Sequence, residues 1–246
     1  MFLALLACPA FSSALPASTL HQHQRRAGPA PGVSLATCTI PNAFALTFDD
    51  GPGPYADVLL DQLDKLGVKT TFFVNGNNVG SLDDPVYAAR LKRAYDSGHQ
   101  IASHTYSHAD LTAIGSDQIR SEMTLLDDQL RRLIGVKPTY MRPPYGAVND
   151  QVLNVMRQLN YRVVLWNLDT NDCRRSPSDV KPALATIQNA LANAAVGSSW
   201  IALAHVTAYA TAYNLVVDAV NDIRAKGYRL VRIDECFGDV GGAYTQ

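Results

Sequence analysis

No stretch of about 18 or more consecutive apolar residues occurs in the 246-residue chain, so no segment has the length of a membrane-spanning helix. Nor is there an excess of charge of either sign. Lys and Arg number 21 against 22 Asp and Glu, a formal net charge of -1, which removes the electrostatic footprint of a protein that binds nucleic acid or an anionic membrane. Internal repeats, low-complexity tracts and Asn-x-Ser/Thr signals are also missing, so nothing marks a solenoid, an interdomain linker or a glycosylated loop.

What is present is the composition of a packed globule, with 47% hydrophobic and 17% charged residues. This length suits one α/β barrel, giving a single domain over residues 36–240 with a tail at 241–246. The apolar run Phe2 to Ala7, followed by Cys8-Pro9 and the small residues Ser12-Ser13-Ala14, reads as a secretory signal over 1–17 despite the absence of a basic start. Residues 18–35, with His21 and His23, have no apolar period and read as a flexible or cleaved pro-segment. The expected location is extracellular. Removing Cys8 leaves Cys38, Cys173 and Cys236, an odd number. Cys38 and Cys236 flank the whole periodic region, which suggests a bridge between them and a free Cys173. Closing so long a loop stabilises a fold by roughly 5 kcal/mol in the chain-entropy model.

Short β-rich runs alternate with helical patterns, the signature of parallel βα units. Strands are expected at 43–48, 70–74, 100–103, 139–141, 162–167, 199–204 and 228–232, and helices at 54–66, 86–96, 117–133, 150–159, 180–194 and 212–226. Ser176-Pro177-Ser178 supplies a start signal for the fifth helix. The reactive side chains then fall after strand ends: Asp49 and Asp50, His104, Arg142, Asp169 and Asp172, and His205. In a parallel barrel those ends share one face, where ligands bind.

His104 and His108, four apart, can share a metal ion, although such pairs are common by chance. Asp49-Asp50 strengthens that reading, because adjacent carboxylates leaving a buried strand need positive compensation, which a divalent cation supplies. Alternation along the strand would send one carboxylate to the metal and leave the other free as a base. Asp49-Asp50-Gly51-Pro52 also has the composition of a turn, which does not account for the histidines. In Arg142-Pro143-Pro144-Tyr145-Gly146 the prolines stiffen the segment carrying Arg142, a pattern that also suits an ordinary surface loop.

Thr47-Phe48-Asp49-Asp50-Gly51, His104-Thr105-Tyr106-Ser107-His108 and Arg142-Pro143-Pro144-Tyr145 resemble three ordered signature motifs of the carbohydrate esterase family 4 polysaccharide deacetylases, which share the NodB homology domain. The resemblance runs from about residue 40 to 235 and is strongest to secreted fungal chitin deacetylases. It implies a distorted parallel (β/α) barrel, seven-stranded and incompletely closed. By the same resemblance Asp50, His104 and His108 bind the metal, usually zinc or cobalt, and Asp49 is the general base. Arg142 orients Asp49, and the Tyr145 backbone N–H helps to stabilise the oxyanion. Leu203-Ala204-His205 matches a fifth motif, making His205 the general acid, and Asp169-Thr170-Asn171-Asp172 a fourth, with Asp172 as the partner of His205. The chain departs from the pattern at Cys173, where Trp is common, and at Val206, where an acidic residue is frequent. A sulfur in place of an indole removes an apolar wall. Trp166 stands either in that space or in the core, so the expected substrate pocket comprises Tyr145, Leu203, Cys173 and Trp166.

The implied reaction is hydrolytic removal of acetyl groups from N-acetylglucosamine units of chitin or its oligosaccharides by a monomer without nucleic acid or membrane partners. Its rivals are a peptidoglycan N-deacetylase, an esterase acting on O-acetylated xylan, and a catalytically silent carbohydrate-binding protein. The intact pair Asp49 and His205 argues against the last, since binding alone needs neither base nor acid.

Overall fold

Period-two alternation in one long strand sets out the architecture. In β2 (Ala43–Gly51) Phe44, Leu46 and Phe48 face outward onto Leu59, Leu60 and Leu63 of helix α1 (Ala56–Leu66). Ala43 and Ala45 face inward, packing with Phe73, Ala102, Tyr140 and Ile201 from neighbouring strands. Thr47 and Asp49 continue this inner row into the site. The chain is seen here as a computed structural model that describes residues 28–174 and 179–245. The expected signal at 1–17 with Cys8, the part of 18–35 that holds His21 and His23, and Ser176-Pro177-Ser178 lie outside the described residues.

Around β2 run β1 (Ser34–Leu35), β3 (Thr71–Val74), β4 (Gln100–Ser103), β6 (Tyr140–Met141), β7 (Arg162–Val164), β8 (Leu168–Asp169) and β9 (Trp200–His205), in the order β1-β7-β6-β4-β3-β2-β9-β8. A ninth strand, β10 (Arg229–Leu230), pairs with the start of β2. Every pairing in this sheet is parallel. The curled sheet stops short of closure, its path ending at β1 and β8. Helices α2 (Pro85–Asp96), α3 (Ser116–Ile134), α4 (Asp150–Gln158), α5 (Lys181–Ala192) and α6 (Val216–Ala225) join the strands. In α3 the buried Ile119, Met123, Leu126 and Leu130 recur at helical spacing, and Gly135 ends the helix in the left-handed conformation. Among the described residues no helix is long and apolar enough to cross a membrane.

The strand count differs from the seven expected, for local reasons. The run expected at 162–167 stops after Val164 as β7, because the Arg142 guanidinium takes the carbonyls of Val164 and Leu165 and the Asn167 side chain pairs with the Ile201 N–H, and β8 begins beyond it at Leu168. Residues 228–232 form only the two-residue β10, since Ile233 turns into a short helix α7 (Ile233–Cys236) whose first N–H donates to the Thr71 hydroxyl. Ser34 and Leu35, expected in a flexible lead-in, add β1 beside β7. The tail folds back as well: β11 (Tyr244–Thr245) pairs antiparallel with β5 (Lys137–Pro138), and the Tyr244 hydroxyl accepts the Ile101 N–H at 2.7 Å. Cys38 and Cys236 form a disulfide at the amino end of the strands, beside the first residues of β2 and β9, and Cys173 is free and exposed.

Candidate active site

At the opposite, carboxyl end of the strands a cleft of about 340 Å³ opens, its floor formed by Asp49, Asp50, His104 and His108. Asp50 ends the alternation of β2. Its φ of 64° turns the carboxylate back into the same cleft as Asp49, where strict alternation would have sent the two apart. His108 (φ 62°) and the β-branched Thr105 (φ 70°) hold left-handed backbone too, so the His104–His108 loop is a strained turn and not a helix. That turn is clamped from several sides. The Asn75 amide donates to the carbonyls of His104 and Thr105, and the Glu122 carboxylate accepts from the N–H and hydroxyl of Ser107.

The buried His104 has only one possible tautomer toward its neighbour: Nδ1 lies 2.7 Å from the Arg142 carbonyl, which can only accept, so Nδ1 carries the proton and Nε2 presents a lone pair to the cleft. Asp50 Oδ1 stands 3.8 Å from that Nε2 and 3.3 Å from His108 Nε2. Ligands bound at about 2.0–2.2 Å to one tetrahedral ion stand about 3.3–3.6 Å apart, so two imidazoles and a carboxylate here match a divalent cation with room for further ligands. Burial and the neighbouring His104 lower the His108 pKa from its ordinary value, which favours the neutral, metal-binding form.

Asp49 is only 3% exposed, and its two oxygens have different surroundings. Oδ1 accepts from Arg142 Nη1 at 2.8 Å, whereas Oδ2 lies 3.7 Å from His104 Nε2, on the cleft side. The fully buried Arg142 spreads its donors over Thr47 Oγ1, Asp49 and the carbonyls of Val164 and Leu165, above the Phe73 ring at 4.1 Å. An arginine so tied has one position, and it fixes one carboxylate oxygen while leaving the other uncommitted.

His205 is the register partner of Asp49 on the adjacent strand, so both side chains face the same way. Its Nδ1 lies 2.7 Å from Asp172 Oδ1, and Asp172 Oδ2 accepts from the His205 N–H and the Thr211 hydroxyl. Burial alone would lower the His205 pKa, but hydrogen bonds to Asp172 and Cys173 and the charges of Asp172 and Asp49 raise it to about 11. Asp172 shifts in the complementary direction: burial raises it, yet the bonds from His205 and Thr211 leave it lowered. The pair is therefore an imidazolium held by a carboxylate.

Tyr145, Trp166, Asp169, Cys173 and Leu203 wall the cleft. Tyr145 has φ 62° and is 69% exposed, its ring edge-on to His108 at 4.8 Å. Beside it Gly146 (φ 67°) lies against the Trp166 ring so closely that an added Cβ would come within 2.7 Å. Trp166 thus lines the cleft and also packs against the inner core. The Asp169 carboxylate accepts the Asn171 N–H in a local turn. Asn75, Glu122 and Thr211 carry no signal in the sequence, and Thr47 shows there only as part of its motif, since each acts on the site through a contact distant along the chain. Asn78 belongs with them, its amide 3.3 Å from Asp50 Oδ1.

The polysaccharide deacetylase family model matches residues 36–164, more than half of the chain. A chitin deacetylase from Pestalotiopsis sp is 41% identical over 97% of this chain and 76% of its own length. A probable peptidoglycan-N-acetylglucosamine deacetylase from Arthroderma benhamiae is 42% identical over 85% of this chain, which spans about half (47%) of that relative. Among solved structures, the chitin deacetylase of Colletotrichum lindemuthianum superposes with a TM-score of 0.85 at 34% identity, covering 88% of this chain and 97% of that one.

Proposed function

The chain belongs to the polysaccharide deacetylase family, and from that premise we propose that it hydrolyses the acetamido groups of N-acetylglucosamine units in chitin or chitooligosaccharides, leaving free amines and releasing acetate. One observation carries this reading. A carboxylate with one committed and one open oxygen, Asp49, shares the cleft with a trio able to hold a metal ion and with an imidazolium, His205, an arrangement suited to metal-assisted amide hydrolysis.

The family is metal-dependent, and Asp50, His104 and His108 are the residues that would hold the ion, with zinc the best match to two imidazoles and a carboxylate and cobalt an alternative. Such an ion supplies Lewis acidity toward the carbonyl and lowers the pKa of water. Asp49 takes the proton of the attacking water on its open oxygen, while Arg142 holds the other oxygen still. The Tyr145 backbone N–H contributes to stabilising the negative charge on the carbonyl oxygen. His205, kept protonated by Asp172, donates to the departing amine nitrogen, without which the amine is too poor a leaving group. Tyr145, Leu203, Cys173 and Trp166 surround the acetyl and sugar groups.

A protonated acid serves an amine leaving group more than an alcohol, which favours N- over O-deacetylation. Secretion fits the disulfide between Cys38 and Cys236, and the near-zero net charge offers no electrostatic attraction to nucleic acid or an anionic membrane, in keeping with a protein that acts without such partners; it is taken to act as a monomer. Acetate release from N-acetylglucosamine oligomers of increasing length, set against acetylated xylan and peptidoglycan, with and without chelator and added zinc, tests the reading. Faster release from xylan than from any chitin oligomer would overturn it.

A further inference from the structure

Beyond Cys173, which borders both, a second cleft of about 210 Å³ continues from the catalytic one and is lined by Thr207, Ala208, Ala210, Tyr55 and Tyr209. Tyr55 and Tyr209 line it, and Tyr213 backs them from outside. Tyr209 and Tyr213 stack with ring centroids 4.2 Å apart, and Tyr55 meets them edge-on at 5.5 and 6.3 Å. Tyr209 and Tyr213 remain 41% and 39% exposed, so the rings are held against one another but not covered.

The geometry points to this cluster as a sugar-stacking platform that holds the pyranose ring next to the one being deacetylated, a proposal that rests on the reading given above. Three arguments meet here. A pyranose is neutral, with an apolar C–H face and a polar rim, and a tyrosine ring offers the same division between apolar body and polar tip. The surrounding lining is small and uncharged apart from Asp172, which is already bound to His205 and Thr211. The third concerns register. Tyr213 and Thr211 both lie in a widened π-helical turn (Thr211–Leu215) that runs into α6, and the Thr211 hydroxyl donates to Asp172 at 2.6 Å. Such turns recur at functional sites. A ring seated on the platform is thereby indexed to the acid that protonates the neighbouring unit, and because the tyrosines brace one another, little side-chain entropy is lost when it binds.

The test compares wild type, Tyr209→Ala and Tyr209→Phe as zinc-loaded full-length protein. The readout is kcat/KM for the N-acetylglucosamine tetramer divided by that for a phenyl acetate ester, which occupies only the catalytic cleft. We expect this ratio to fall about five- to tenfold in Tyr209→Ala, through KM, and to stay within about twofold in Tyr209→Phe. Calorimetric titration of the tetramer in an Asp49→Asn background should show the same order of affinities. A wild-type ratio and affinity in Tyr209→Ala would overturn the platform while leaving deacetylation standing. Binding that depends on Tyr209, in a protein that releases no acetate from any oligomer, would uphold the platform and overturn the activity.

Discussion

At the scale of single residues, the proposed function gives the two adjacent carboxylates separable duties. Asp50→Ala should lose stoichiometric zinc on dialysis, whereas Asp49→Asn should keep the metal and lose turnover by about a hundred- to ten-thousand-fold, as metal analysis and acetate assays on the same preparations would show. The His205–Asp172 pair predicts a pH signature. The folded value of about 11 lies above the ordinary 6.5, so folding binds this proton more tightly. Its contribution to stability is complete below about pH 6.5 and is lost as pH rises toward 11. The urea-midpoint difference between wild type and His205→Gln should therefore shrink from pH 6 to pH 10. In Asp172→Asn the alkaline limb of the kcat profile should move to lower pH, because the imidazolium has lost its counter-charge. The convergence of the candidate residues was legible in the sequence, since Asp49, Asp50, His104, Arg142 and His205 sit at or beside strand ends and His108 follows His104 by four. Their supports were not. Thr47 and Glu122 look like any strand threonine or helix glutamate until folding brings Arg142 and Ser107 to them.

At the scale of elements, the turns carry as much of the site as the strands do. Gly146 has left-handed backbone pressed on Trp166, whereas Gly67, at the end of α1, has a similar φ of 62° with nothing within 4 Å of an added Cβ. Gly67→Ala should thus cost only the conformational strain, about 1–2 kcal/mol. Gly146→Ala should cost about 2–4 kcal/mol by denaturant unfolding, and also lower kcat by displacing Tyr145. Periodicity located the long helices and β4 well, because burial on one face imposes it. It failed at 162–167, where a guanidinium from another strand captures the carbonyls that would have continued the sheet. It also failed for β1, β5 and β11, which are two residues each and too short to show a period.

At the scale of the whole molecule, strand alternation and the motif positions together told the parallel barrel and the shared end of its reactive groups, while the extra edge strands, the incomplete pairing at the last strand and the folded-back tail arise from contacts far apart in the chain. The bridge between Cys38 and Cys236 was anticipated from their flanking positions, and it closes a separation of 198 residues. Replacing both by Ser should lower stability by about 4–5 kcal/mol and the unfolding midpoint by roughly 10–15 °C in calorimetry, with the metal and acetate release retained below that temperature. The reason is the polarity of the barrel. The covalent lock is at the pole where the strands begin and the reacting groups are at the pole where they end, with layers of packed side chains between. Endurance and chemistry thus have separate addresses, and selection or engineering can adjust how long the enzyme survives without retuning what it cuts.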